Sequence, residues 1–403
     1  MPPQQTTAPP VAPLHRSTVL LMAVATGLTV ASLYYCQPLL HTMSQGMGIP
    51  HSAAGLLVTC TQVGYALGLF FVIPLGDLLE RRRLVVNLSL GLVGALLVVA
   101  AAPTAGLLFV ASLLVGLLSV LAQILVPLAA SLAAPAERGT VVGTVMSGLL
   151  LGILLARTVA GALAQVAGWR SVYVVAAALV LVLTVALRRG LPRSPATVTT
   201  SYGGLLRSVA RLVRTEPVLR RRMLYGALTF AQFSVLWTAL TGLLVGTPYH
   251  YSEAVIGLFG LVGAAGAVSA QFAGRHSDKG HALHLAVGFA VLLVLSWCAM
   301  AAGRNHLVPL IIGIVALDLG VQGVQVSNQS QIYAIPGEVR SRVNSAYMTT
   351  YFIGGSLGSW AATRAAAAHG WYGVCALGGA IAVVLVLAIV VGEWTLRSAR
   401  AAA

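Results

Sequence analysis

Asp318 is the residue best placed to do chemistry in this chain. It falls near the middle of an apolar run, and the whole sequence holds only nine Asp and Glu. A carboxyl group in that setting can take up and release a proton. An Asp at the centre of a membrane helix costs roughly 2.5–3.5 kcal/mol on insertion scales, so it must face protein or water and have a use. Gln322, Gln325 and Gln329 follow at +4, +7 and +11. At about 100° per residue these four share one helix face, and Asn328 borders it. A polar stripe of that length cannot face lipid. It lines an internal cavity, or it forms a hydrogen-bonded seam between helices. Arg157 is the one base inside an apolar run, at a depth similar to that of Asp318. The two are expected to interact, directly or through water, with protonation of Asp318 breaking the link. Snorkelling of Arg157 to the outer interface is the alternative.

Other runs present matching faces. Tyr34, Tyr35 and Gln37 cluster late in the first run, and Gln62 and Tyr65 share a face in the second. Phe233, Trp237 and Thr241 align further on, with Gln232 adjacent, and Asn344, Tyr347, Tyr351, Gly355 and Gly358 align near the end. Each stripe alone reads as ordinary packing. Together they describe an amphipathic cavity of rings and neutral amides, suited to bulky, mostly apolar or cationic molecules.

The elements that must position these residues are transmembrane helices. Hydrophobic residues make up 58% of the chain and charged residues 8%, against about 25% charged in soluble domains. Apolar runs long enough to cross a bilayer occur at about 17–43, 52–76, 84–102, 105–134, 140–166, 171–188, 222–246, 253–273, 282–302, 306–333, 343–366 and 369–392. The formal charge of +15 reflects topology rather than a nucleic-acid partner. With the N-terminus inside, Arg170, Arg304 and Arg364 fall outside and Arg157 within a helix; all other Lys and Arg fall on the inner side. Both termini are then cytoplasmic. The segment 1–16 is Pro-rich and expected to be disordered. The stretch 189–221 is a basic cytoplasmic linker, in which Leu205, Leu206, Val209, Leu212 and Val213 alternate with Arg207, Arg211 and Arg214 as in a surface amphipathic helix. Cys36, Cys60, Cys298 and Cys375 fall in four different runs with no metal or redox spacing. There is no P-loop string and no catalytic constellation, so neither an enzyme nor a cofactor is expected.

The chain also repeats itself. Asp77 and Asp278 are 201 residues apart, as are Pro135-Ala136-Glu137 and Pro336-Gly337-Glu338; Gly168-Trp169 and Gly370-Trp371 are 202 apart. That is the plan of a duplicated half, with bundles at 17–188 and 222–392 and a cytoplasmic tail at 393–403. Small residues at close helical spacing, as at Gly64/Gly68, Gly148/Gly152 and Gly257/Gly260/Gly263/Gly266, suit close helix contact or a rocking interface.

The string Gly76-Asp77-Leu78-Leu79-Glu80-Arg81-Arg82-Arg83, with its weaker partner Gly274–Gly280, resembles the cytoplasmic loop motif of the major facilitator superfamily. Tyr34–Leu40 and Pro74–Asp77 are similar to the twelve-helix drug:proton antiporter branch. Glu80 stands where the motif usually has Gly, and no Arg or Lys lies between Arg83 and Arg138. The helix-5 motif usually has Gly-Pro; here Gly148 and Gly152 lack a following Pro, and Arg157 appears. The resemblance implies an all-α membrane protein, twelve helices in two six-helix pseudo-symmetric bundles, working by alternating access. It implies a conformational latch at Gly76, Asp77, Arg81, Arg82, Asp278 and Lys279. The expected function is proton-coupled efflux of drug-like or amphipathic small molecules from the inner membrane, by a monomer whose partners are substrate, protons and membrane lipids. Export of a specific metabolite such as a sugar or amino acid is the first alternative, and a non-transporting receptor or assembly partner the second.

Overall fold

The computed structural model describes residues 15–134, 137–194, 201–263, 282–333 and 340–401. Among these, the regular structure is entirely helical. A chain this apolar has no water for its amides in a bilayer, and helices satisfy them internally. The first half holds α1 (Arg16–Ala31), α2 (Cys36–Gly46), α3 (Leu56–Phe71), α4 (Leu75–Leu78), α5 (Arg81–Ala101), α6 (Ala105–Leu118), α7 (Leu121–Leu132), α8 (Arg138–Ala167) and α9 (Trp169–Gly190). Then come α10 (Tyr202–Thr215), α11 (Pro217–Val245), α12 (Glu253–Val262), α13 (Ala282–Ala302), α14 (Leu307–Tyr333) and α15 (Arg340–Ala401). Nine described helices or continuous helix pairs are long and apolar enough to cross a membrane, and ten if the bent α1–α2 pair is one span.

Several helices are broken, and the breaks have local causes. Between α1 and α2 the chain bends by 40°. Leu33, Tyr34 and Gln37 donate their backbone N–H groups three residues back rather than four, so the turn tightens there. Pro74 precedes α4 and Pro127 lies inside α7, each unable to donate to the helix ladder. α15 runs through Gly370, whose φ of 60° and ψ of −151° are not helical. Gly168, between α8 and α9, also has positive φ, at 77°. Glycine reaches this region without a Cβ clash. The repeated Gly-Trp pairs therefore mark equivalent corners, and both rings are buried.

Two boundaries differ from the sequence reading. α11 begins at Pro217, inside the stretch read as linker, because proline suits a first helical turn where no N–H is needed. α15 remains helical to Ala401, through the stretch read as a tail. The linker does contain the amphipathic helix, α10: Leu205 and Val209 are buried while Arg207, Arg211 and Arg214 are exposed. It is fixed at its start by the Tyr202 hydroxyl, which donates to the Phe71 carbonyl at 2.9 Å.

Glycine faces set the helix spacing. α3 packs on α6, α1 on α8, and α11 on α15. A Cβ at Gly64 would collide with the Leu113 carbonyl, and one at Gly116 with that of Thr61. Gly148 and Gly152 abut Ala23 and Gly27, while Gly354 and Gly358 abut Ala227 and Ala231. These faces pack helices within one sequence half. The halves meet along α3–α15 and along α8–α12, where Gly161 abuts Glu253 and Gly257 abuts Arg157 and Thr158, and α2 touches α11. Gly266, the last member of the glycine series that begins at Gly257, lies outside the described residues.

Gly64→Leu should lower the unfolding temperature of the detergent-purified protein by several degrees, since overpacking against backbone costs about 1–3 kcal/mol. Gly94→Ala, at a position with open space around it, should leave it level. Equal behaviour of the two variants in a thermal unfolding assay would refute close α3–α6 packing.

Candidate functional site

α14 carries Asp318 into the interior, where it is 4% exposed. Neither of its carboxylate oxygens has a hydrogen-bond partner. Arg157 on α8 is 3% exposed. Its Nε donates to Gln37 Oε1 at 2.7 Å, and its guanidinium lies over three rings: Trp237 at 3.9 Å, Tyr34 at 4.8 Å and Phe233 at 5.5 Å. Such stacking holds a poorly hydrated guanidinium in apolar surroundings. The tightened turn between α1 and α2 places Tyr34 and Gln37 together, and the Gln37 carbonyl accepts from Thr241 Oγ1 of α11 at 2.7 Å.

Asp318 and Arg157 attract each other through space but make no direct ion pair. The Trp237 indole N–H lies near the Asp318 carboxyl without closing a hydrogen bond. Gly260 on α12 and Gly263, which ends it, lie against the two side chains. A Cβ at Gly260 would stand 2.9 Å from Arg157 Cβ, and one at Gly263 would stand 2.9 Å from Asp318 Oδ2.

An aromatic wall adjoins the charges. Phe230 stacks on Tyr351 with centroids 4.2 Å apart and on Phe233 at 5.4 Å. Phe352 joins Tyr65 at 4.3 Å. Phe230 and Phe352 were missed from sequence, although Phe230 lies three residues before Phe233 on the same helical face. Gln62 and Ser234 exchange hydrogen bonds at 3.0 and 3.2 Å, tying α3 to α11. A small pocket of about 80 Å³, lined in part by His41, Thr238, Thr241 and Thr363, opens where α2, α11 and α15 meet. A groove of about 620 Å³ lies elsewhere, between α3, α10, α11 and α15, and takes in none of these charges.

The remaining residues of the expected cavity divide. Gln325 accepts from the Tyr347 hydroxyl, and Asn328 Nδ2 donates to that hydroxyl at 3.4 Å. This part of the α14 stripe is a seam against α15. Gln322 and Gln329 are half-buried. Asn344 donates to Gln123 of α7 at 3.5 Å, bridging the halves. Two expected lining residues turn into packing within their own half. Gln232 accepts from Trp297 Nε1 of α13 at 3.1 Å, and Tyr35 meets Tyr173 of α9 edge-on.

At the loop between α4 and α5, Arg81 Nη2 is 3.4 Å from Asp77 Oδ1, and its Nε donates to the Gly76 carbonyl at 3.0 Å. Glu80 caps α5, accepting from the backbone N–H groups of Arg82 and Arg83. It also accepts from the Ser194 N–H, while Arg82 donates to the Leu191 carbonyl. The carboxylate standing in place of the motif's glycine thus ties the loop to the chain after α9. Asp278 and Lys279 lie outside the described residues.

Long apolar helices, broken near a buried and unpaired acid and base, define a multi-pass membrane transporter. The chain belongs to the Major Facilitator Superfamily, whose family model matches residues 22–359. It is 50% identical over 374 residues to "Uncharacterized transporter YgaY" of Escherichia coli O157:H7, covering 93% of this chain and 95% of that one. It is 36% identical over 367 residues to "Probable transporter SCO4007" of Streptomyces coelicolor, covering 89% and 84%. Its fold resembles two solved structures at 13% identity. The POT family transporter PepTSo gives a TM-score of 0.73 over 96% of this chain and 99% of that one. A bacterial homolog of the human lysosomal transporter Spinster, inward-facing and unoccupied, gives 0.71 over 94% and 96%. The chain is a transporter-family protein, not an enzyme.

A double-mutant cycle tests the attraction across the site. Arg157→Met and Asp318→Leu should each lower the unfolding temperature in nanodiscs, because each leaves the other charge buried alone. The double variant should recover most of the loss, with a coupling on the order of 1–3 kcal/mol. Strictly additive losses would show that the two charges do not interact.

Proposed function

We propose that this transporter exports amphipathic small molecules in exchange for protons, as in the drug:proton antiporter branch. The observation that carries the reading is Asp318, a buried carboxyl at the centre of α14 with neither oxygen partnered. A proton or a cationic ligand can neutralise it in turn, and competition for one carboxyl couples the two fluxes. The aromatic wall of Phe230, Phe233, Tyr351 and Trp237 suits a planar apolar body.

In this reading the span count is twelve. The described helices supply ten spans; α12 begins another, and the corner at Gly370 divides the 51-residue stretch Arg342–Gly392 into two. The duplicated halves rock about the central site as a monomer in the inner membrane, with both termini cytoplasmic as the distribution of Arg suggests. Asp77 and Arg81 serve as part of a cytoplasmic latch, together with the second copy of the motif at Asp278 and Lys279.

Two measurements test this function. In proteoliposomes with an imposed pH gradient, a fluorescent lipophilic cation should move with the wild type, and Asp318→Asn should lose gradient-driven flux. Retention of that flux in the variant would remove Asp318 from coupling. The second measurement concerns the seam between the halves, where Thr59 Oγ1 and Ser359 Oγ are 2.9 Å apart. With the four native cysteines replaced by serine, Thr59→Cys with Ser359→Cys should form a disulfide on oxidation. Flux should stop, and reduction should restore it. Undiminished flux in the cross-linked protein would mean that this contact never opens during transport.

A further inference from the structure

The central site holds more unpartnered groups than a proton site needs. Arg157 Nη2 and Gln37 Nε2 are both buried without a hydrogen-bond partner, as are both oxygens of Asp318. The orientation of Gln37 follows from its neighbour. Its Oε1 accepts from Arg157 Nε, and the reversed amide would set donor against donor, so its NH₂ is left free. Arg157 and Gln37 together therefore offer N–H groups to an anion, while Asp318 offers two acceptors to a cation.

The two half-sites do not satisfy each other: no direct ion pair joins Asp318 and Arg157, and both lie against α12 and its end, the Arg157 side chain at Gly260 and the Asp318 carboxylate at Gly263. Simpler ligands leave a buried charge uncompensated. A plain cation would satisfy Asp318 and leave Arg157; a plain anion would do the reverse; a neutral solute would satisfy neither. A ligand bearing both charges satisfies both, and leaving a buried charge unpaired is the costly case.

We propose that the preferred substrate is a zwitterion with a planar aromatic body: its carboxylate lies against Arg157 and Gln37, its ammonium against Asp318, and its ring against the Phe230 and Tyr351 wall. This rests on the export reading above and names the substrate class of the same site. The ammonium and the proton compete for Asp318, while Arg157 selects for the carboxylate. A lipophilic cation uses only the Asp318 half and the wall, so it is the weaker ligand.

The test is direct equilibrium binding of radiolabelled phenylalanine, tyrosine and tryptophan to the full-length protein in nanodiscs. Each is compared with its methyl ester, which lacks the carboxylate, and its N-acetyl form, which lacks the ammonium. At least one of the three amino acids should bind about tenfold or more tightly than both of its derivatives, as expected for charge-assisted hydrogen bonds at each end. Arg157→Gln should erase the preference over the ester, and Asp318→Asn the preference over the N-acetyl form. Gln37→Glu, which keeps the contact to Arg157 Nε, should weaken the amino acid more than its ester, so the test survives if the Arg157 variant fails to fold. The inference is overturned if all three amino acids bind no more tightly than their esters, or if the preferences persist in the variants. Gradient-driven flux of the lipophilic cation separates the two claims. Flux without zwitterion preference leaves export standing and removes this inference. Preference without cation flux removes export of lipophilic cations and leaves the zwitterion site.

Discussion

The cost of holding Arg157 and Asp318 unpaired in the interior of a membrane protein governs the rest of the structure. Isolated charges in low-dielectric surroundings are expensive, and side chains that bear them normally find direct partners. Here the guanidinium has one amide and three ring faces, and the carboxylate has only the nearby indole and the distant positive field. Natural proteins carry such local conflicts where function requires them and compensate elsewhere. The compensation here is the tight glycine-mediated packing around the centre. It excludes lipid and fixes helix positions closely enough that Gly260 and Gly263 admit the two side chains where alanine would crowd them.

The helix breaks serve the same end. A straight first span would point Tyr34 and Gln37 along a continuous ladder of backbone bonds. The tightened turn instead brings both to Arg157 and lets the Gln37 carbonyl accept from Thr241 on the opposite half. One residue thus links the buried base to α11 as well as to its own half. At the loop before α5, Glu80 does a comparable job by accepting from backbone N–H groups, joining the start of α5 to the chain that leads toward α10.

Much of this was legible in the sequence, and the limits are physical. The membrane class, the family and the depth of Asp318 and Arg157 follow from hydropathy, motif and charge, because lipid enforces those rules on every residue. Periodicity also found the faces bearing Tyr34, Phe233, Trp237 and Tyr351. It could not say which neighbour each face meets. Gln232 is one residue from Phe233, yet about 100° of rotation turns it to Trp297 rather than toward the charges. Gln325 and Asn328 share the Asp318 stripe, but farther along α14 the neighbour is Tyr347, and the stripe becomes a seam. The bond between Arg157 and Gln37 joins residues 120 apart in the chain, and no local pattern encodes it. The glycine faces were visible as well, but spacing alone did not separate contacts within a half from contacts between halves.

Among the described residues, the hydrogen bonds joining α3 and its N-cap to the other half are neutral and few: Thr59 with Ser359, Ser359 with the Gly55 carbonyl, Gln62 with Ser234, and Ser345 with the Leu69 carbonyl. Each neutral hydrogen bond contributes about 1 kcal/mol net. Breaking the polar part of this seam therefore costs only a few kcal/mol, comparable to the difference in affinity that one ligand can show between two conformations. In the proposed alternating cycle, a seam of buried ion pairs would hold one arrangement strongly, whereas one of hydroxyls and amides would let occupancy of the centre decide between two.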